Sequence, residues 1–275
     1  MKEIDKIKKA YLYLKKRITA VPETVVVLGS GLGALSADIE GAVSFKFGDI
    51  PYVKGSTTPY HDGKLIFGRL SGKSVAVMSG RIHLYEDNTP HDVVRLIRVL
   101  YLLGAKHIIL TNSAGAINRD YRVGDIVQIT DHVSLFVPSP LCGDIRREIG
   151  TKLDFVDMTK VYDLEMAEKS RDIAKACNIE LKSGVYVQLK GAQYETPSEI
   201  KLLGKLDCDL VGMSTVIEAI CARHLGLKVC AFSTVTNMAS GIEDVILSHE
   251  EVKAVATDAS KKLKDLIKKL ISDLD

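Results

Sequence analysis

Apolar positions along the chain follow two rhythms. Continuous runs rich in β-branched residues occur at VVVLG (25–29), LIFGRL (65–70), SVAVMSG (74–80), HIILTN (107–112), DIVQITDHV (125–133), GVYVQLKG (184–191), CDLVGMS (208–214) and KVCAFSTVTN (228–237), and each predicts a strand. Between them, apolar residues recur at helical spacing near 90–103, 163–177, 197–206, 215–225 and 249–273. Ile4, Ile7, Tyr11, Leu14 and Ile18 repeat the same spacing, predicting an amphipathic surface helix over 1–20. Unbroken apolar strands alternating with helices imply an α/β fold whose central sheet is covered on both faces. No internal repeat or Pro/Gly-rich linker interrupts the pattern, so the expectation is a single domain over 1–275. The least patterned stretch, 134–160, reads as a long loop, and long loops in compact domains tend to be functional.

Local chemistry sharpens several helix starts. Thr196-Pro197-Ser198-Glu199 combines a capping hydroxyl, a proline at the first helical position and a glutamate three residues on; Thr215 to Glu218 and Ser248 to Glu251 repeat the cap-to-glutamate spacing. Each lies where a strand gives way to a helix, the end of an open α/β sheet at which ligands bind.

Charge and composition then narrow the partners. Lys and Arg number 37 against 35 Asp and Glu, a formal net charge of +2, so no basic excess argues for a nucleic-acid or membrane surface. An anion bound here must be caught by a few placed groups. No run approaches the roughly 20 apolar residues of a bilayer span. The charged N-terminus MKEIDKIKKAYLYLKKRI is not expected to be a signal peptide. Cys142, Cys177, Cys208, Cys221 and Cys230 form no CxxC pair, which fits free thiols in a reducing cytoplasm and argues against a zinc site.

Candidate chemistry clusters at strand ends. Gly29-Ser30-Gly31-Leu32-Gly33-Ala34 follows a strand, where a tight glycine turn and the N-terminus of a following helix would suit a phosphate; Asp49 lies where a dinucleotide fingerprint wants an acid. That spelling supports a bound phosphate group, a dinucleotide or a plain turn. In Ser79-Gly80-Arg81-Ile82-His83-Leu84-Tyr85-Glu86, alternation sets Arg81, His83 and Tyr85 on one side of extended chain, and a guanidinium fork beside an imidazole suits anion oxygens. A solvated loop is the plain alternative. His61, in PYHDGKL, is a further candidate. Asn112-Ser113-Ala114-Gly115-Ala116 is small enough for a ligand to approach backbone N–H groups, or for a tight turn. Glu195, just ahead of the capped helix, offers an acceptor-only carboxylate and Tyr194 a ring face suited to a heterocycle. Ser214 offers a hydroxyl to an anion, Asn237 both donates and accepts, Met213 reads first as core filler, and His249 reads equally as a surface or a functional residue.

Taken in order, GSGLG, PYHDGKLIFG, SGRIHLYE, TNSAGAIN, VGDIV, DHVSL, GAQYETPSE, VGMSTVIEAICARHLG and TVTN resemble the trimeric purine nucleoside phosphorylases from about Val25 to His249. The resemblance implies a mixed, partly barrel-like sheet wrapped by helices, a homotrimer with sites near subunit boundaries, and no cofactor beyond inorganic phosphate as co-substrate. It implies phosphate ligands at Ser30, His61, Arg81, His83, Ser113 and Ser214, ribose contacts at Tyr85, Met213 and His249, and a purine site at Tyr194, Glu195, Val211, Thr236 and Asn237. Asn237, Glu195 and His83 would carry catalysis. Tyr194 stands where the family often has phenylalanine, Ser113 where it has alanine and Met238 where lysine often follows the asparagine. In 141–158 the aromatic usually lent by a neighbouring subunit is missing, with Ile149 the nearest match. Glu195 and Asn237 favour inosine and guanosine over the 6-amino substrate of a methylthioadenosine phosphorylase; a xanthosine-accepting variant stays open. A dinucleotide-dependent dehydrogenase would leave Arg81-x-His83 and GAQYETP unexplained, and a silent purine-binding module would retain these same ligands.

Overall fold

The computed structural model describes the chain apart from residues 30, 56–61 and 244–248, and for 249–258 only the backbone path. Ser30 and His61, the cap at Ser248 and the side chain of His249 therefore lie outside the described residues.

The strands, in chain order, are β1 (Thr24–Leu28), β2 (Glu40–Lys46), β3 (Lys64–Leu70), β4 (Lys73–Ser79), β5 (His107–Ala116), β6 (Ile126–Val133), β7 (Leu181–Gln188), β8 (Leu210–Gly212) and β9 (Lys228–Met238). The helices are α1 (Glu3–Lys15), α2 (Pro90–Leu103), α3 (Ile145–Glu148), α4 (Leu164–Ala176), α5 (Pro197–Lys205), α6 (Val216–Leu225) and α7 (His249–Ser272). One mixed sheet runs β2-β3-β4-β1-β5-β8-β7-β6-β9, and β9 turns back to pair with β5. Half of the sheet is thus open and half is closed into a barrel.

The buried strands are apolar on both faces because helices cover both. Along β1, Val25 and Val27 join a core cluster with Ile7, Leu14, Val94, Ile97 and Ile217, beneath α1, α2 and α6. Val26 and Leu28 point the other way, packing with Met166, Ile173, Leu263 and Ile267 from α4 and α7. Strands β4, β1, β5 and β9 run parallel to one another, so their carboxyl ends share one edge of the sheet.

Several elements differ from the sequence pattern. Strand β2 lacks an apolar run because it is a mostly exposed edge, paired only with β3. Strand β5 continues through the small-residue stretch to Ala116, β7 spans Leu181–Gln188, and β8 shrinks to Leu210–Gly212. The glycine turn after β1 leads into a six-residue 3-10 helix, Gly33–Asp38, rather than an α-helix. Asp38 at its end is drawn to α7, accepting from Lys264 at 2.9 Å and Lys268 at 2.7 Å, which diverts the chain toward the sheet edge. Without a long helix behind it, this turn lacks the macrodipole that a dinucleotide site uses. The N-terminal helix stops at Lys15 rather than 20, and the long loop contains only the short turn α3.

Candidate active site

A cleft open to solvent sits at the shared carboxyl edge of the parallel strands. Its lining joins residues from five distant turns. Arg81, His83 and Tyr85 follow β4, Ser113 lies in the second half of β5, Tyr194 and Glu195 precede α5, Val211, Met213 and Ser214 lead into α6, and Thr236 and Asn237 lie at the end of β9. These are all the candidate positions whose side chains are described. Gly29, Asn112, Ala114, Gly115 and Gly212 line it as well.

At one end the groups are cationic or donors. Arg81 is 2 % exposed. Its Nη1 donates to Ser214 Oγ at 2.8 Å and Thr215 Oγ1 at 3.0 Å, and lies 3.3 Å from Glu218 Oε1. Its Nη2 donates to the carbonyls of Val27 and Thr111, which fixes the guanidinium against the ends of β1 and β5. Its Nε is buried without a partner among the described residues. The backbone N–H of His83 donates to Glu86 Oε2 at 2.8 Å, and its Nδ1 lies 3.2 Å from the same oxygen. The imidazole stacks on Tyr85, with centroids 4.6 Å apart and planes 16° from parallel. Arg81, His83 and Tyr85 thus share a side as alternation predicts, although 84–86 is a 3-10 turn.

The other end is built for a flat heterocycle. A bulge between β5 and β9 sets Ala114 opposite Val235 and Gly115 opposite Asn237, so Thr236 is the extra residue that re-aims the strand end. Asn237 accepts from Thr236 Oγ1 at 3.1 Å and donates to the Met238 carbonyl at 3.0 Å, which orients its amide and leaves further donor and acceptor capacity. Gly115 permits this: a Cβ there would stand 3.1 Å from Asn237 Nδ2. Across the cavity, Thr196 and Glu199 form the predicted capping box, so Glu195 sits at a fixed helix entry. Burial pushes the Glu195 carboxyl above the usual carboxylate range, Glu199 adds to it, and a backbone hydrogen bond opposes it. Tyr194, 41 % exposed, has its phenol pushed up by partial burial and by Glu195. The left-handed Gly191 lets this loop lie on Met213 and Tyr85: an added Cβ would come within 2.4 Å of Met213 Sδ.

Sequence reasoning passed over Thr215 and Glu218 as site support, reading them only as a helix cap, and gave Asn112 no role of its own. Asn112 Nδ2 donates to Thr215 Oγ1 at 2.8 Å, and Glu218 accepts the Thr215 N–H. The cap-to-glutamate spacing was their signal. Ile149 is 4 % exposed and packed in its own chain's core, so it does not stand out toward a neighbour. Among the described residues, no group of three or more His, Cys, Asp or Glu could hold a metal ion, and no helix is long and apolar enough to cross a membrane.

Comparison with known proteins gives the family and the fold. Residues 23–272 match the model of the phosphorylase superfamily, which defines the class. Purine nucleoside phosphorylase 1 of Bacillus subtilis is 38% identical, covering 98% of this chain and 99% of its own. The purine nucleoside phosphorylase of Bos taurus is also 38% identical, over 92% and 89%. Among solved structures, schistosoma purine nucleoside phosphorylase in complex with hypoxanthine superposes with a TM-score of 0.91 at 34% identity, over 99% and 98% of the two chains. A Schistosoma mansoni isoform 2 complex with cytosine and ribose-1-phosphate gives a TM-score of 0.92 at 34% identity, over 98% and 97%. The chain belongs to the purine nucleoside phosphorylases, and it is a pentosyl-transferring enzyme.

Proposed function

We propose that the enzyme catalyses reversible phosphorolysis of 6-oxopurine ribo- and deoxyribonucleosides, such as inosine and guanosine, to the free base and (deoxy)ribose 1-phosphate. One observation carries the proposal: an acceptor-only carboxylate and a donor–acceptor amide, Glu195 and Asn237, line the same cavity as the buried Arg81–Ser214 pair. Phosphate would rest on Arg81, His83, Ser214 and the Ser113 backbone, with Ser30 and His61 joining it by family likeness. The sugar would lie against Tyr85 and Met213, with His249 at its 5′-hydroxyl, and the base between Tyr194, Val211, Thr236, Glu195 and Asn237.

Breaking the N-glycosidic bond develops positive charge on the sugar and negative charge on the leaving purine. A phosphate held beneath the anomeric carbon stabilises that oxocarbenium-like centre and attacks it with inversion. Asn237 bridges O6 and N7, and its bonds strengthen as electrons flow into the ring. No side-chain nucleophile, metal or organic cofactor enters this scheme.

Specificity follows from hydrogen-bond polarity. A 6-oxopurine carries N1–H, which an ionised Glu195 accepts. Adenine presents a bare N1, leaving buried groups unpaired at about 1–3 kcal/mol each. Because burial raises the Glu195 pKa, the preference for inosine should be greatest at alkaline pH and narrow as acid protonates this carboxyl. A Schistosoma mansoni relative was solved in complex with adenosine, so discrimination must be measured in this chain rather than assumed from the fold.

Family likeness further supports a homotrimer and a role in purine salvage, and the cysteine usage supports a cytoplasmic location. The deciding assay is phosphate-dependent release of hypoxanthine from inosine, with guanosine and adenosine alongside. Asn237→Ala should lower kcat/KM by roughly 10²–10³-fold while remaining folded. Release without phosphate, equal efficiency on adenosine, or a fully active Asn237→Ala enzyme would refute the corresponding part of the reading.

A further inference from the structure

We infer that Thr215, which stands behind Ser214, is a positioning residue that fixes Ser214 as a hydrogen-bond donor to the phosphate co-substrate; this rests on the phosphorolytic reading above. A hydroxyl has one proton to give and two lone pairs to receive. Thr215 Oγ1 receives from Arg81 Nη1 at 3.0 Å and from Asn112 Nδ2 at 2.8 Å, and its capping box also turns the Glu218 N–H toward it, so its acceptor positions are filled. Its own proton then goes to Ser214 Oγ, 3.2 Å away. Ser214 Oγ receives that proton together with one from Arg81 Nη1 at 2.8 Å, so both its lone pairs are taken. The Ser214 proton is what remains to be directed, and Ser214 lines the cavity.

A phosphate oxygen can only accept, so this polarity matches it. The buried Tyr186 phenol lies within reach of the Ser214 hydroxyl and N–H, both of which face its oxygen. It is the competing acceptor, and a charged oxygen outcompetes a neutral phenol.

The backbone indicates that the hydroxyl matters. Thr215 is fully buried with φ 84°, a conformation that strains a β-branched residue, and Glu218 holds it there by accepting its N–H. Glycine would adopt this φ with less strain but would supply no oxygen to the chain of hydrogen bonds.

The test compares Thr215→Val, close in shape but without the hydroxyl, with Thr215→Ser, which keeps it. Initial rates are measured while inorganic phosphate and inosine are varied independently, and melting temperatures are recorded. Thr215→Val should raise the KM for phosphate about tenfold or more, with the KM for inosine changed less than about twofold, and Thr215→Ser should restore it. An unchanged phosphate KM in folded Thr215→Val, equal impairment of both KM values, or failure of Thr215→Ser to rescue would each overturn the inference. Should Thr215→Val fail to fold, Thr215→Ala carries the same comparison without a methyl against the guanidinium. Wild-type activity indifferent to phosphate would instead sink the functional reading itself, so the two failures are told apart.

Discussion

Arg81 and Arg95 are equally buried, each 2 % exposed, yet they are compensated in opposite ways. Arg95, on α2, makes a bidentate pair with Glu3 of α1 at 2.7 and 2.8 Å. It also donates to Asp92 at 2.8 Å and to the Tyr52 carbonyl at 2.6 Å. Its charge meets two carboxylates. Arg81 has one, Glu218 at 3.3 Å, and otherwise spends its donors on hydroxyls and carbonyls, with Nε unpartnered among the described residues. A buried cation with its countercharge complete is a structural fastening. One left partly uncompensated at a cavity wall retains attraction for an anion. Burial alone therefore does not separate a structural arginine from a functional one; the charge and geometry of its partners do.

Substitutions at the two arginines should separate along the same line. The largest effect is expected from Arg95→Met, which abandons Glu3 and Asp92. Unfolding should become easier by about 3 kcal/mol, the low end for a broken buried pair, because Lys6 and Lys54 still face the two acids at 3.5 and 3.6 Å. Chemical denaturation checks this, and the folded fraction should keep its kcat/KM. Arg81→Lys should do the reverse: the charge stays but the planar fork is lost, so kcat/KM for phosphate should fall roughly 100-fold, with a smaller loss of stability than Arg95→Met. If Arg95→Met impaired phosphate use as much as Arg81→Lys, the distinction would collapse.

The smallest effect is expected at Asp92. Burial alone would raise its pKa, but hydrogen bonds from Thr89 and pairing with Arg95 bring it down to about 2 from 3.8. A depressed carboxyl pKa contributes stability that is complete above the unfolded value and is lost as pH falls toward the folded one. Asp92→Asn should therefore cost about 2 kcal/mol at neutral pH, and the gap from wild type should close between about pH 4 and pH 2. A gap that persisted in strong acid would assign the loss to packing instead.

Runs such as VVVLG and KVCAFSTVTN were legible as strands because burial on both faces leaves no polar position to choose. Strand β2 was illegible for the converse reason, being an exposed edge held by β3 alone. The helix expected after GSGLG is a short 3-10 turn, and its last residue, Asp38, is held by Lys264 and Lys268 from the far end of the chain. Thr215 shows the limit most clearly. Its spacing to Glu218 marks a cap, but the destination of its hydroxyl depends on Arg81 and Asn112, brought in by β4 and β5.

The order of apolar and polar residues by itself determined the α/β class, most strands and helices, the capping box at Thr196, and which turns offer polar side chains at strand ends. Those properties depend on neighbours a few positions away, where backbone periodicity sets who meets whom. Only the tertiary structure decided that β9 returns to close on β5, that the bulge at Thr236 aims Asn237, and that Arg81 meets Ser214 from 133 residues away. Side-chain hydrogen bonds need their partners within a few tenths of an ångström of the right distance, and strand packing, not sequence spacing, sets that distance.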